Sequence, residues 1–139
     1  MNDIKAAPGE IKVPVSPGEL LDKITILRIK SRRMTDPQKL HNVRIELDAL
    51  QDTWSRSAWG AADVHADVDA LMKVNERLWV IEDDIREKER AQDFGAEFIR
   101  LARAVYVEND ERAAIKRRIN LNLGSSIVEE KSYKPYKTG

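Results

Sequence analysis

Apolar residues in this chain recur every three or four positions almost from end to end, and that spacing confines the fold to packed helices. Leu20, Leu21, Ile24 and Leu27, with Ile26 and Ile29 alongside, make one stripe, and Leu40, Val43, Leu47, Leu50 and Trp54 a second. The third is longer: Val64, Val68, Leu71, Val74, Leu78, Ile81 and Ile85. A fourth of similar length runs through Phe98, Leu101, Ala102, Val105, Ile115, Ile119 and Leu123, and stops at Gly124. β-Branched alternation is confined to the stretch from Ile11 to Val15. The expected fold is all-α: a bundle of about four helices dominated by a long antiparallel helical hairpin, with short extended N- and C-terminal segments. Residues 1–12 read as a flexible segment, 13–136 as a single helical domain and 137–139 as a fraying tail.

Local signals place the helix ends. Ser16, Pro17, Gly18 and Glu19 form a capping box with Pro at the first helical position, and Val15 and Leu20 are spaced for a hydrophobic staple. The first helix should run to about Arg33. Thr35, Asp36 and Pro37 repeat the cap-then-Pro signal, for a second helix from Pro37 to about Ser55. Ser55 to Ala62 lacks a period and reads as a loop; Asp63 opens the third helix, and Asp93, Phe94 and Gly95 turn it into the fourth. At about 1.5 Å per residue the first two helices span roughly 25 to 30 Å and the last two roughly 40 Å. Part of the long hairpin's apolar face is then uncovered, so a homodimer is expected.

Charge excludes several functions. Lys and Arg number 24, Asp and Glu also 24, in 139 residues, so the formal charge is zero although 35% of the chain is charged. A nucleic-acid binder draws its affinity from neutralising phosphates, and no basic surplus exists to do so. With no Cys there is no disulfide, thiolate metal site or Cys nucleophile, and a reducing, cytoplasmic setting is expected. No run of apolar residues is long enough to span a membrane. The six glycines form no phosphate loop, no Ser sits in a nucleophile elbow, and His41 and His65 lack the Glu three residues before them that a helical carboxylate metal site needs. Both histidines read as surface residues, with no metal and no cofactor expected.

Polar residues set into apolar stripes are the remaining candidates. Asn75 and Glu82 lie seven residues apart near Leu71 and Leu78, with Trp79 beside both; Asn109 and Arg112 stand between Val105 and Ile115. In an antiparallel hairpin turning at Phe94, Asn75 comes level with Arg112, and Glu82 with Val105 or Tyr106. An Arg at a core position must meet a carboxylate, an amide or a ligand. One reading is a buried network of Glu82, Arg112 and the two asparagines that sets helix register. The other is a polar pocket of Glu82, Asp83, Asn109, Arg112 and Lys116, where the cations receive an anionic ligand and an acid accepts or acts as base. The remaining charge runs, Glu82 to Arg90 and Lys116 to Arg118, read as solvated helix faces.

Three segments carry a family resemblance: VPVSPGELLDKITILRIKSRR (Val13 to Arg33), NERLWVIEDDIREKERAQDFG (Asn75 to Gly95) and YVENDERAAIKRRINLNLGSSIVEEKSY (Tyr106 to Tyr133). The chain resembles a bacterial family described only as a domain of unknown function, over about residues 13 to 136. The resemblance implies no catalytic residue. It implies a setting among proteins of cell-surface glycan synthesis and phages, and it draws attention to Glu19, Asp22 and Lys23 in GELLDK. The first helix also bears a slighter similarity to the opening helix of all-helical chorismate mutases, which ends after Arg33. Two functions are therefore weighed: a non-enzymatic interaction or accessory module engaging a protein partner, linked to glycan synthesis, and an enzyme or binder whose interhelical pocket takes an anionic metabolite or sugar phosphate.

Overall fold

The computed structural model describes residues 9–136 and contains four helices: α1 (Pro17–Arg33), α2 (Pro37–Arg56), α3 (His65–Arg90) and α4 (Ala96–Asn122). The expectations for residues 1–8 and 137–139 lie outside the described residues. Ser16 caps α1 by accepting a hydrogen bond from the Glu19 amide at 3.1 Å, and Asp36 caps α2 through the Lys39 amide at 2.9 Å. Each is followed by Pro, which gives up an amide that the first turn leaves unbonded in any case. α3 ends in a left-handed residue, Gln92 at φ 56°, whose neighbour Asp93 donates its amide to the Lys88 carbonyl at 2.9 Å. That six-to-one bond is the Schellman form of helix ending.

The long helices pack as the expected antiparallel hairpin. Its register is marked by Arg77 against Glu108 and Arg118 against Asp67, both ion pairs at 2.8 Å. α1 lies against both α3 and α4, whereas α2 packs mainly on α1. α1 is therefore the central element, and it is buried on most sides: Leu20, Leu21, Ile24, Leu27 and Ile29 are all in the core. α2 buries only Val43 completely. Leu21 joins Leu71, Val74, Leu78, Ile115 and Ile119 in the main apolar cluster, flanked by Trp54 and Val64. At about 1.5–3 kcal/mol for each fully buried aliphatic side chain, this cluster holds α1, α3 and α4 as one packed unit.

Two features position the site described below. The α2–α3 connection, expected as a loop, is docked by Trp59, whose indole N–H donates to the Leu123 carbonyl at 2.9 Å. After Gly124, at φ 70°, residues 125–136 form an irregular strap that turns back along α4. Apolar side chains left exposed on the long helices include Val80, Ile99 and Val107. No helix of the described residues is long and apolar enough to cross a membrane.

Candidate functional site

α1 and α4 approach most closely at Gly18, whose amide donates to Asn120 Oδ1 at 2.8 Å. A Cβ at position 18 would stand 2.6 Å from the Lys116 carbonyl oxygen and 2.9 Å from Asn120 Oδ1, so only Gly allows this approach. The contact brings the first turn of α1 against the Lys116–Asn120 turn of α4. Asn120 is fully buried, and its Nδ2 has no partner among the described residues.

From this point a polar chain crosses the bundle. Lys116 Nζ, on a side chain only 10% exposed, meets Glu19 Oε2 at 2.6 Å, Glu129 Oε2 of the strap at 2.9 Å and Asp22 Oδ2 at 3.9 Å. Asp22 Oδ1 accepts from Asn75 Nδ2 at 2.8 Å, and Asn75 Nδ2 also reaches Thr25 Oγ1 at 3.0 Å. The Thr25 hydroxyl donates to the Asp22 carbonyl at 2.7 Å. Asn75 Oδ1 in turn accepts from Arg112 Nη1 at 3.2 Å, and Arg112 Nη2 donates to Asn109 Oδ1 at 2.9 Å. Burial pushes the Glu19 carboxyl up, but the hydrogen bond and charge of Lys116, backed by Lys23 and Arg112, outweigh it and hold it below its ordinary value. Burial likewise pushes the Lys116 ammonium down, and Glu19 and Glu129 more than reverse it, leaving it above its ordinary value. Lys116 is thus a fully charged cation enclosed by carboxylates, neither a base nor a free anion receptor.

Arg112 differs. It is half-buried, its two bonds go to neutral amide oxygens, and among the described residues no carboxylate lies within ion-pair distance of it. It borders an open cleft of about 350 Å³ between α1, α3 and α4. Ile26, Ile29, Leu78 and Trp79 form the apolar wall of this cleft, and Asn75, Lys30, Glu82, Asp83 and Arg86 supply its polar rim. Glu82 is paired with Arg86 at 2.7 Å, whereas Lys30 and Asp83 have no ion-pair partner among the described residues. Cations, acids and an aromatic ring around one small cavity are the inventory of a small-molecule site. No group of three or more His, Asp or Glu side chains that could hold a metal ion occurs among the described residues.

A family model described as a family of unknown function, DUF6165, matches residues 11–138. The chain belongs to this family. No curated protein and no solved structure matches it. The family supplies no activity, so any role for this DUF6165 chain rests on its own geometry.

The sequence candidates divide into three groups. Asn75, Asn109 and Arg112 meet as the hairpin register predicts. Glu82 and Asp83 share the Arg112 cleft, but Glu82 bonds to Arg86 on its own helix and the carboxylate nearest the network's centre is Asp22 instead. Lys116, read from its position near the helix end as solvated, is buried, because Gly18 brings α1 over it. Glu19 and Asp22 of GELLDK both reach Lys116, while Lys23 is exposed and pairs with Glu19 at 3.7 Å. His41 and His65 are exposed. Sequence reasoning missed Thr25 and Asn120. The available signal was a buried-side position: Thr25 follows Ile24 on a helix apolar on most sides, and Asn120 follows Ile119 in the fourth stripe.

Proposed function

We propose that this chain is a binding protein for a small anionic ligand of the sugar-phosphate class, held in the cleft between α1, α3 and α4. One observation carries the reading: Arg112 is a half-buried guanidinium bordering an open cleft, with only amide oxygens as hydrogen-bond partners among the described residues. A charge so placed is stabilised by an anion, and a guanidinium presents a planar fork that matches phosphate oxygens. Lys30 adds a second cation, Asp83 offers an acceptor for hydroxyl groups, and Trp79 gives the ligand's less polar face a wall. This setting fits an accessory role in cell-surface glycan synthesis in the cytoplasm, with ligand binding as the working activity. A thermal-shift series tests it: glucose 1-phosphate and related sugar phosphates should raise the melting temperature, by about 2.7 kcal/mol of stabilisation at 100 times the dissociation constant, and glucose should not. No shift with any sugar phosphate overturns the proposal.

A second reading concerns assembly. Ile99 and Val107 of α4 are 54% and 48% exposed, and with Ala96 and Ala104 they border a shallow groove of about 430 Å³ on α4. Spaced three and eight residues apart, they share one helical face, which a second copy would cover in a homodimer through the same surface on both chains. Light scattering at micromolar concentration tests this: a dimer that Ile99→Glu converts to monomer is expected, and a wild-type monomer refutes it.

A further inference from the structure

The strap after Gly124 walls a second, larger site. Three successive strap residues are fastened to α4: Glu129 to Lys116, Glu130 to Arg117 and Lys131 to Asp110. Between strap and helix lies a groove of about 760 Å³, adjoining a cavity of about 430 Å³, with Asn109, Lys131 and Tyr133 bordering both. Neither is the cleft of Trp79; Arg112 alone borders that cleft and the smaller cavity.

The two halves of the groove differ in chemistry. Tyr106, Tyr133 and Tyr136 surround the larger half, with Tyr106 57% and Tyr133 83% exposed. Tyrosine rings left in water around a concave surface present flat apolar faces with polar edges, the surface on which aromatic ligands stack. The Lys131 ammonium lies 5.8 Å from the centre of the Tyr133 ring and helps to orient it. Lys116 is held by Glu19, Asp22 and Glu129, Lys131 by Asp110, and Glu130 by Arg117, so the cations left without an ion pair on this lining are Arg112 and Lys134. Lys134 has no ion-pair partner among the described residues. A volume of this size takes a ligand larger than a phosphate or a pentose phosphate.

We infer that the groove between α4 and the strap binds a nucleoside monophosphate, its base on the tyrosine rings and its phosphate toward Lys134 and the Arg112 end. The site shares only Arg112 with the sugar-phosphate cleft. Isothermal titration of the full chain with AMP and UMP tests it. Saturable binding of both is expected, since stacking tolerates either base, with ribose 5-phosphate and inorganic phosphate at least tenfold weaker. Tyr106→Ala and Tyr133→Ala, both at exposed positions, should each weaken AMP about tenfold. Trp79→Ala and Lys30→Met, which alter only the other cleft, should leave AMP affinity unchanged. The inference is overturned by no binding of either nucleotide, by ribose 5-phosphate binding as tightly as AMP, by tyrosine variants that bind like wild type, or by loss of AMP binding in the Trp79 and Lys30 variants.

Discussion

Lys116→Met keeps most of the side chain's length and removes its charge, which separates a structural ion cluster from a solvated helix end. In the native protein the ammonium sits 2.6 Å from Glu19, 2.9 Å from Glu129 and 3.9 Å from Asp22. Glu129 is half exposed and Glu19 partly so, and water can replace much of what Lys116 gives them; Asp22, at 7% side-chain exposure, has no such recourse. Breaking a buried pair costs about 3–5 kcal/mol, and with two of three acids reaching water the loss should lie near the lower end, about 3 kcal/mol. At about 2–4 °C per kcal/mol for a chain somewhat larger than this one, the melting temperature should fall by roughly 10 °C. Urea unfolding followed by far-ultraviolet circular dichroism measures it. Adding Asp22→Leu to Lys116→Met should recover part of the loss, since it removes the stranded carboxylate while Asn75 Nδ2 keeps Thr25 Oγ1. A loss below about 1 kcal/mol for Lys116→Met, the range of surface pairs, would refute the claim that the cluster is a buried structural element.

Gly18→Ala should destabilise by about 2–4 kcal/mol in the same assay, because its Cβ collides with a backbone carbonyl and parts the Gly18 amide from Asn120; a loss under about 1 kcal/mol contradicts the close approach. Glu19 titrates below its ordinary value of 4.5 when folded, so its contribution is present above that value and lost as pH falls through the folded one. Lys116 titrates above its ordinary 10.5, so its contribution is complete below 10.5 and lost as pH rises through the folded value. Urea midpoints of Glu19→Gln should show a flattened acid limb, and an unchanged limb counts against the pair. Gln92→Gly should stabilise by about 1 kcal/mol by relieving the left-handed backbone at the end of α3, and a loss of stability there would contradict that strain.

Helix ends were legible because they depend on neighbours in sequence: Ser16 and Asp36 cap the helices their Pro-containing motifs announce. The hairpin register was legible too, since one turn of known position places Asn75 opposite Arg112. What sequence spacing does not carry is the placement of α1, which rests on a contact across the chain between Gly18 and Asn120. Without that contact Lys116 looks like one of several cations at a helix end, and Asp22 like an exposed acid beside Lys23. Glu82 was the natural carboxylate for Arg112 within the hairpin, yet an arginine one turn away on the same helix claims it at far lower entropic cost than a cross-helix partner. The extended C-terminal segment was legible, but its fastening to α4 was not: the three ion pairs join irregular backbone to a helix surface, and no period encodes them.

The central claim is that Arg112 is a receptor for an anion rather than a structural cation, and titration calorimetry with glucose 1-phosphate tests it most directly. Wild type should bind saturably. Lys30→Met should bind more weakly through loss of one cation, and Arg112→Met should lose binding while circular dichroism shows the helices intact. Equal affinity of wild type and Arg112→Met for glucose 1-phosphate, or no heat of binding in wild type, would contradict it.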